Sequence, residues 1–201
     1  MGGSFDPVHQ AHVALADLAL RTLALDEVRW VPAGQPWQKA RQLAPAAHRL
    51  AMVRAATAHQ PRFVVDDTEL RRSGPSYTLD TVEALQAAQP DADWWLIIGQ
   101  DQCANLPTWR GWQALLQRAS LAVSGRGDQP LAVPEAVSAA LAEPSAAAQP
   151  RLQPLNLPPM SVSSTAIRHH LSAGGSPLEL TPGLVAPAVA SYIADHHLYA
   201  P

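Results

Sequence analysis

The sequence predicts an α/β protein built on a doubly wound parallel sheet with helices on both faces. Two observations predict this fold. Short apolar segments typical of buried strands alternate with segments of helical periodicity, and the polar motifs follow strands or their expected positions. Ligands bind at the carboxyl ends of the strands in such sheets. We therefore expect the functional residues to come from several loops at that edge.

The elements follow one another along 201 residues, enough for a single domain over 1–201 with a substantial core. Apolar residues at helical spacing predict helices over residues 9–25, 45–59 and 78–89. Apolar runs predict strands over residues 27–31, 63–65, 94–98, 121–124 and 152–155. Together these elements predict a Rossmann-like order of strands and helices.

The later part of the chain is less regular. Residues 125–150 are rich in Ala, Pro and Gln, which indicates a variable surface excursion carrying one helix near 134–141. A helical part is expected over 161–199. Trp30, Trp94, Trp95 and Trp112 lie within predicted elements and are interpreted as packing residues.

Composition excludes several classes of function. The net charge of -3 gives no indication of a nucleic-acid partner or a membrane surface. The single cysteine, Cys103, excludes an internal disulfide and agrees with a reducing compartment. No apolar run approaches the roughly 20 residues that span a bilayer. We expect a soluble, cytoplasmic protein.

The most informative segment is the opening turn, Gly2-Gly3-Ser4, which leads to His9 and His12. Glycines let the backbone approach an anion closely, and Ser4 adds a hydroxyl donor. If a helix starts near residue 8, both histidines lie on its first turn, where free N–H groups already favour phosphate. A plain turn with two exposed histidines is the alternative. Zinc is disfavoured because a site needs three or four ligands and the glutamate expected after the first histidine is absent.

This turn should follow a strand, but only Met1 precedes Gly2. The first strand is therefore expected to be missing or truncated. One hypothesis is that the true start lies upstream of Met1; the alternative is a fold that lacks this strand.

A second phosphate-type segment lies near the other end of the chain. Ser163, Ser164 and Thr165 begin a predicted helix, and Arg168 follows about one turn later. Helix capping alone would explain the hydroxyls. Hydroxyls, free N–H groups and a guanidinium at one helix start also suit phosphate, and two such segments indicate a polyphosphate.

These segments resemble known signatures. Residues 2–12 resemble the Gly-Gly-Thr/Ser-Phe-Asp-Pro-x-His-x-Gly-His motif of nucleotidyltransferases with two active-site histidines, and residues 163–168 resemble their Ser-Ser-Thr-x-Ile-Arg motif. Within that superfamily, residues 74–81, 99–101, 106–109 and 192–199 are similar to bacterial nicotinate-nucleotide adenylyltransferases. The resemblance covers almost the whole chain. Ala11 departs from the usual glycine, and Gln38 stands before Lys39 where many members have histidine.

The resemblance implies transfer of AMP from ATP to nicotinate mononucleotide, giving deamido-NAD and pyrophosphate. It implies that His9 and His12 contact the ATP phosphates. The residues implied to hold the β- and γ-phosphates are Ser163, Ser164, Thr165 and Arg168. Gly2, Gly3 and Ser4 would lie against the phosphates of both substrates, and Lys39 would add positive charge. Mg²⁺ would be carried by the ATP phosphates.

For the bases, the resemblance implies that Gly99 and Asp101 bind adenosine, with a helix N-cap as the alternative role of Asp101. Tyr77 and Thr78 would bind the nicotinate carboxylate, and Trp109 would stack on the pyridine ring. Trp37 stays open as part of a substrate flap. A homodimer is compatible with the family. Nicotinamide mononucleotide or pantetheine phosphate as substrate, or an inactive nucleotide-binding module, are the alternative functions.

Overall fold

The computed structural model describes residues 1–34, 43–125, 131–143 and 151–201. Trp37, Gln38 and Lys39 lie outside the described residues. The chain divides into two compact units. We call Gly2–Pro75 with Met160–Pro201 the histidine unit, and Ser76–Pro159 with Met1 the middle unit. None of the helices in the described ranges has the length and apolar character needed to cross a bilayer.

The histidine unit opens with alternating strands and helices. They are β1 (Gly2–Gly3), α1 (Gln10–Thr22), β2 (Val28–Pro32), α2 (Ala46–Thr57), β3 (Phe63–Val65) and α3 (Thr68–Arg71). The three strands form a parallel sheet in the order β1-β2-β3. Gly2 pairs with Val31 and Gly3 with Pro32, and this first strand is two residues long. The chain leaves this strand directly into the turn that carries the histidines.

The middle unit repeats this pattern. Its elements are α4 (Thr78–Ala88), β4 (Trp95–Gly99), α5 (Gln100–Asn105), α6 (Trp112–Arg118), β5 (Ser120–Ser124), α7 (Glu135–Ala142) and β6 (Leu152–Leu155). The strands are parallel in the order β4-β5-β6, with Leu96 opposite Leu121. Trp94, Trp109 and Trp112 pack against the apolar core of this unit. Apolar residues on consecutive positions suit strands that are covered on both faces.

Two helices complete the histidine unit, α8 (Ser164–Ser172) and α9 (Pro187–Asp195), with a 3₁₀ helix at Pro177–Leu180 between them. Helix α9 packs against α2. The loop before α9 also fixes the start of α1, because the Gln10 N–H donates to the Leu184 carbonyl at 2.8 Å. The late segment of the chain is therefore built onto the first turn of α1.

The α/β fold with parallel sheets and intervening helices is confirmed, and most predicted boundaries agree within one or two residues. Trp30 is fully buried, as its interpretation as a packing residue requires. The helices α8 and α9 lie within the helical part expected over 161–199, whereas the short helices α3, α5 and α6 are absent from the elements predicted above.

Candidate active site

The turn after β1 is shaped by Phe5. Its ring is 2% exposed and lies against Gly3, where a Cβ atom would come within 2.9 Å of Phe5 Cε1. Phe5 itself has a φ of 46°, in the left-handed region that is costly for a residue with a side chain. The ring then packs edge-on against His12, with 5.2 Å between ring centroids. Gly3 is therefore required for packing as well as for the approach of an anion.

His9 and His12 lie at the start of α1, as the sequence predicted. His9 is the N-cap residue, and the helix begins at Gln10. The two imidazoles stack, with ring centroids 3.7 Å apart and an angle of 23° between the planes. The His9 backbone N–H donates to His12 Nδ1 at 3.2 Å, so this nitrogen carries no proton. In neutral His12 the proton is therefore on Nε2, which is left as a donor.

Burial keeps both rings uncharged in the free protein. It lowers the pKa of His9 to about 4, although a hydrogen bond to its own backbone opposes this shift. Burial also holds the pKa of His12 well below 6.5, and repulsion from His9 lowers it further. In the free protein, both rings are therefore neutral at physiological pH. An anion bound beside these rings would raise their pKa values, because it favours the protonated imidazole.

This burial predicts that the ligand-free protein loses stability as the pH falls. The unfolded chain binds protons on these histidines near pH 6.5, whereas folded His9 binds one only near its pKa of about 4. Between these values the unfolded state holds more protons, so the free energy of unfolding decreases with falling pH. From pH 7.5 to 5.5, His9 alone should remove about 1 kcal/mol.

Urea unfolding at both pH values, in a buffer without phosphate, measures this effect. His9→Ala should show a smaller loss between the two values than the wild type. His59→Ala is the matched control, since His59 is exposed in the same unit. Equal pH dependence in the wild type and His9→Ala would exclude a buried neutral His9.

The second predicted segment begins α8. Ser163 is its N-cap, and its Oγ accepts from the Ala166 N–H at 3.1 Å, so the capping role is real. Ser164 Oγ donates to the Pro7 carbonyl at 2.9 Å. Arg168 Nη1 donates to the Asp6 carbonyl at 2.6 Å, and Nη2 donates to Thr165 Oγ1 at 3.1 Å. The start of α8 is therefore bound directly to the turn that carries the histidines.

These bonds bring the two phosphate-type segments together within the histidine unit. Ser163 and Thr165 are exposed and line a surface depression of about 660 Å³ along α8, together with His169. The Ser164 hydroxyl has its proton engaged with Pro7, so its backbone N–H is the better phosphate donor. The starts of α1 and α8, with their imidazoles, hydroxyls and guanidinium, therefore lie on directly bonded segments of the histidine unit.

Sequence reasoning missed Arg49, which is 2% exposed. Its guanidinium donates to three backbone carbonyls: Ser4 at 2.9 Å, Gly34 at 3.3 Å and Ala44 at 3.0 Å. Buried charge is tolerated only with such bonds. Arg49 therefore joins the turn after β1 to the residues that flank 35–42. No local pattern marks it, because its partners are distant in sequence.

The predicted base-binding residues lie in the middle unit. Gly99 ends β4 and is the N-cap of α5, while Asp101 is the second residue of that helix; the N-cap role considered for Asp101 is therefore wrong. Tyr77 precedes α4, which begins at Thr78. The Arg110 guanidinium lies 4.6 Å from the centroid of the Tyr77 ring. Trp109 is partly buried against the core of the unit.

The side chains at the starts of α1 and α8 are not the usual ligands of Mg²⁺. Within the described parts of the chain, no group of three or more His, Cys, Asp or Glu side chains is placed to hold a metal ion. The donors at the start of α1 and α8 are imidazoles, hydroxyls and a guanidinium, whereas Mg²⁺ requires oxygen ligands, usually carboxylates, phosphates and water. This donor set suits a metal that is held by phosphate oxygens.

The known proteins that this chain resembles in sequence fall into one family. The cytidylyltransferase-like family model matches residues 1–170. A protein of Methylibium petroleiphilum named “Probable nicotinate-nucleotide adenylyltransferase” is 49% identical over 200 residues, covering 100% of this chain and 91% of the relative. A protein of the same name from Bordetella petrii is 47% identical over 199 residues, covering 99% of this chain and 96% of the relative.

Solved structures give the same fold. The Plasmodium falciparum nicotinic acid mononucleotide adenylyltransferase in complex with NaAD matches with a TM-score of 0.77 at 20% identity, covering 98% of this chain and 94% of that chain. The same enzyme in complex with APC matches with a TM-score of 0.75 at 20% identity over the same shares. At this identity the structural likeness establishes the fold.

Proposed function

The chain belongs to the cytidylyltransferase-like family and, within it, to the nicotinate-nucleotide adenylyltransferases, and from this premise we propose its reaction and the residues that carry it. The reaction transfers AMP from ATP to nicotinate mononucleotide, giving deamido-NAD and pyrophosphate, a step of NAD biosynthesis. One observation supports it most: Arg168 and Ser164 bind the backbone of Asp6 and Pro7. This joins the histidine turn and the α8 start into one polyphosphate surface.

The chemistry needs no general base. A 5′-phosphate oxygen of nicotinate mononucleotide is already an anionic nucleophile. It forms the new bond to the α-phosphorus of ATP, the bond from that phosphorus to the bridging oxygen breaks, and the electron pair leaves with pyrophosphate. The barrier lies in bringing anions together and in stabilising charge on the α-phosphate and the leaving group. The protein must therefore supply positioned donors and positive charge.

The histidine unit supplies both. His12 Nε2 donates to the α-phosphate in the transition state, and His9 donates to the neighbouring phosphate oxygens. Thr165 and Arg168 hold the β- and γ-phosphates, with the Ser163 hydroxyl and the Ser164 N–H. Gly2, Gly3 and Ser4 lie against the phosphates of both substrates. The family resemblance also assigns Lys39, which lies outside the described residues, to these phosphates.

Mg²⁺ carried by ATP would neutralise part of the phosphate charge and so would make pyrophosphate a better leaving group. In our proposal it arrives with ATP, because the described residues near the phosphates offer nitrogen and hydroxyl donors in place of carboxylates. The chain's own residues then orient the phosphates and stabilise the leaving group.

The base-binding residues are assigned by position in the family signature. Gly99 and Asp101 bind adenosine, and the Asp101 carboxylate accepts from ribose hydroxyls. Trp109 stacks on the pyridine ring. Tyr77 and Thr78 contribute donors to the nicotinate carboxylate, where Thr78 also opens helix α4 with its free N–H groups.

Pyrophosphate release is the direct test. With ATP and Mg²⁺, the purified protein should release pyrophosphate with nicotinate mononucleotide, and kcat/KM should be at least about 10²-fold lower with nicotinamide mononucleotide, because the donors of the carboxylate site lose their charged partner. Pantetheine phosphate is the negative control. Equal turnover of the two pyridine nucleotides would contradict acid selectivity, and ATP binding without turnover would favour an inactive binding module.

A further inference from the structure

Tyr199, in the segment after α9, contacts the turn that carries the histidines. Its hydroxyl donates to Asp6 Oδ1 at 2.7 Å, and Asp6 is fully buried. The residue lies within the ending 192–199 that matches the family, yet the phosphate and base sites give it no role. Tyrosine bonded to a buried carboxylate is a strong, charge-assisted contact. The partner it fixes lies three residues before His9.

Asp6 is the junction of several elements at this turn. The same Oδ1 accepts from the Ala44 N–H at 3.3 Å, and the Asp6 carbonyl accepts from Arg168 Nη1 at 2.6 Å. The next carbonyl, that of Pro7, accepts from Ser164. A shift of Asp6 would therefore move the guanidinium of Arg168 and the backbone that leads into His9. The Asp6 carboxylate is therefore placed to fix the position of the Arg168 guanidinium together with that of this backbone.

The backbone brings Tyr199 to Asp6 in an unfavourable conformation. Helix α9 ends at Asp195, and the Leu198 N–H then donates to the Ile193 carbonyl at 3.0 Å. His197 and Tyr199 have φ values of 49° and 64°. Residues with side chains persist in this left-handed region when their surroundings fix them. The Asp6 contact is one such constraint on Tyr199.

We propose that Tyr199 is a positioning residue for adenylyl transfer: through the Asp6 carboxylate, its hydroxyl fixes the histidine turn and the orientation of Arg168. This inference rests on the proposed function of those residues. Tyr199 acts on the geometry of the donors, and a small misplacement of donors is costly for a reaction that depends on positioning. Loss of the hydroxyl should lower kcat more than it changes substrate binding.

Tyr199→Phe removes the hydroxyl and keeps the ring. We expect kcat per folded molecule to fall about tenfold, with KM for both substrates changed less than about twofold. The urea midpoint should also fall, because the buried Asp6 carboxylate loses a donor. Tyr192→Phe is the matched control, because its hydroxyl lies 3.0 Å from His48 Nδ1 in the same unit. This variant should keep the wild-type kcat. Normal turnover in Tyr199→Phe would overturn the proposal. So would a loss of kcat that both variants share and that their lower urea midpoints explain.

A second readout does not depend on turnover. In the full chain with ¹⁵N-labelled histidine, Tyr199→Phe should shift the imidazole signals of His9 and His12 in the absence of substrate, whereas Tyr192→Phe should shift those of His48. Unchanged His9 and His12 signals in Tyr199→Phe would reject the positioning role. A wild type that fails to turn over nicotinate mononucleotide would contradict the proposed function alone, and these signals would still decide whether Tyr199 acts on the turn.

Discussion

Replacing His12 with alanine is expected to lower kcat by about 10³-fold, while ATP affinity falls less than about tenfold. The His12 Nδ1 atom is occupied by the His9 N–H, so Nε2 is the ring's donor toward a phosphate. A donor that strengthens as charge develops in the transition state affects kcat more than binding. Steady-state pyrophosphate release and equilibrium binding of ATP without the second substrate measure the two effects.

Two further variants separate chemistry from packing. His12→Asn offers a carbonyl oxygen to the His9 N–H but lacks a donor at the Nε2 position, so it should lose kcat as strongly as His12→Ala while unfolding nearer to the wild-type urea midpoint. His59→Ala, on an exposed residue of the same unit, should leave kcat unchanged. High activity in His12→Asn would mean that His12 acts mainly as a helix cap.

Local sequence patterns were sufficient to predict the elements in which consecutive residues are buried together. The strand predicted over 94–98 is β4 at Trp95–Gly99, and its consecutive apolar residues reflect cover on both faces. Helix α5 was missed because six residues, Gln-Asp-Gln-Cys-Ala-Asn, are too few to display a helical period. It forms where β4 ends, and its only fully buried side chain is that of Cys103. Tertiary context decides such short elements.

The candidate site likewise contains residues that local sequence patterns predict and residues that they miss. Its phosphate-type residues could be predicted because each cluster occupies a few consecutive positions with a recognisable chemistry. The residues that hold those clusters could not, because Arg49 lies 45 positions from Ser4 and Tyr199 lies 193 positions from Asp6. Pairing over such distances leaves no periodicity or spacing in a single sequence. The carbonyl groups that Arg49 binds are also common to every residue, so no side-chain type indicates them.

Two arginines that lie far away in sequence support the turn after β1. Arg49 and Arg168 each bind backbone carbonyls of the turn after β1, those of Ser4 and Asp6. Charged donors satisfied by carbonyls are strong and geometrically fixed. The turn itself contains Phe5 in a left-handed conformation, which needs support from its surroundings. Two guanidiniums, from α2 and α8, supply part of that support. In the proposed mechanism the phosphate donors are therefore positioned before the substrate binds.

Replacing Arg168 with lysine is expected to reduce kcat/KM for ATP by about 10²-fold, although the charge is kept. The guanidinium donates from Nη1 to the Asp6 carbonyl and from Nη2 to Thr165 Oγ1, two acceptors that its planar fork reaches together. A lysine ammonium is a single point of charge and cannot hold both acceptors in this geometry. Arg168→Met, which also removes the charge, should be about tenfold worse than Arg168→Lys, because the β- and γ-phosphates then lose a cation.

The matched control is Arg62→Lys, since Arg62 is exposed in the same unit and donates to a backbone carbonyl, that of Leu25, at 3.2 Å. It should keep the wild-type kcat/KM. The three variants are compared by pyrophosphate release over a range of ATP concentrations and by urea unfolding. If Arg168→Lys lowered stability while kcat/KM per folded molecule stayed normal, Arg168 would serve only to join α8 to the turn. A loss of kcat/KM at wild-type stability would instead support the proposed role of its fork in placing the phosphate donors.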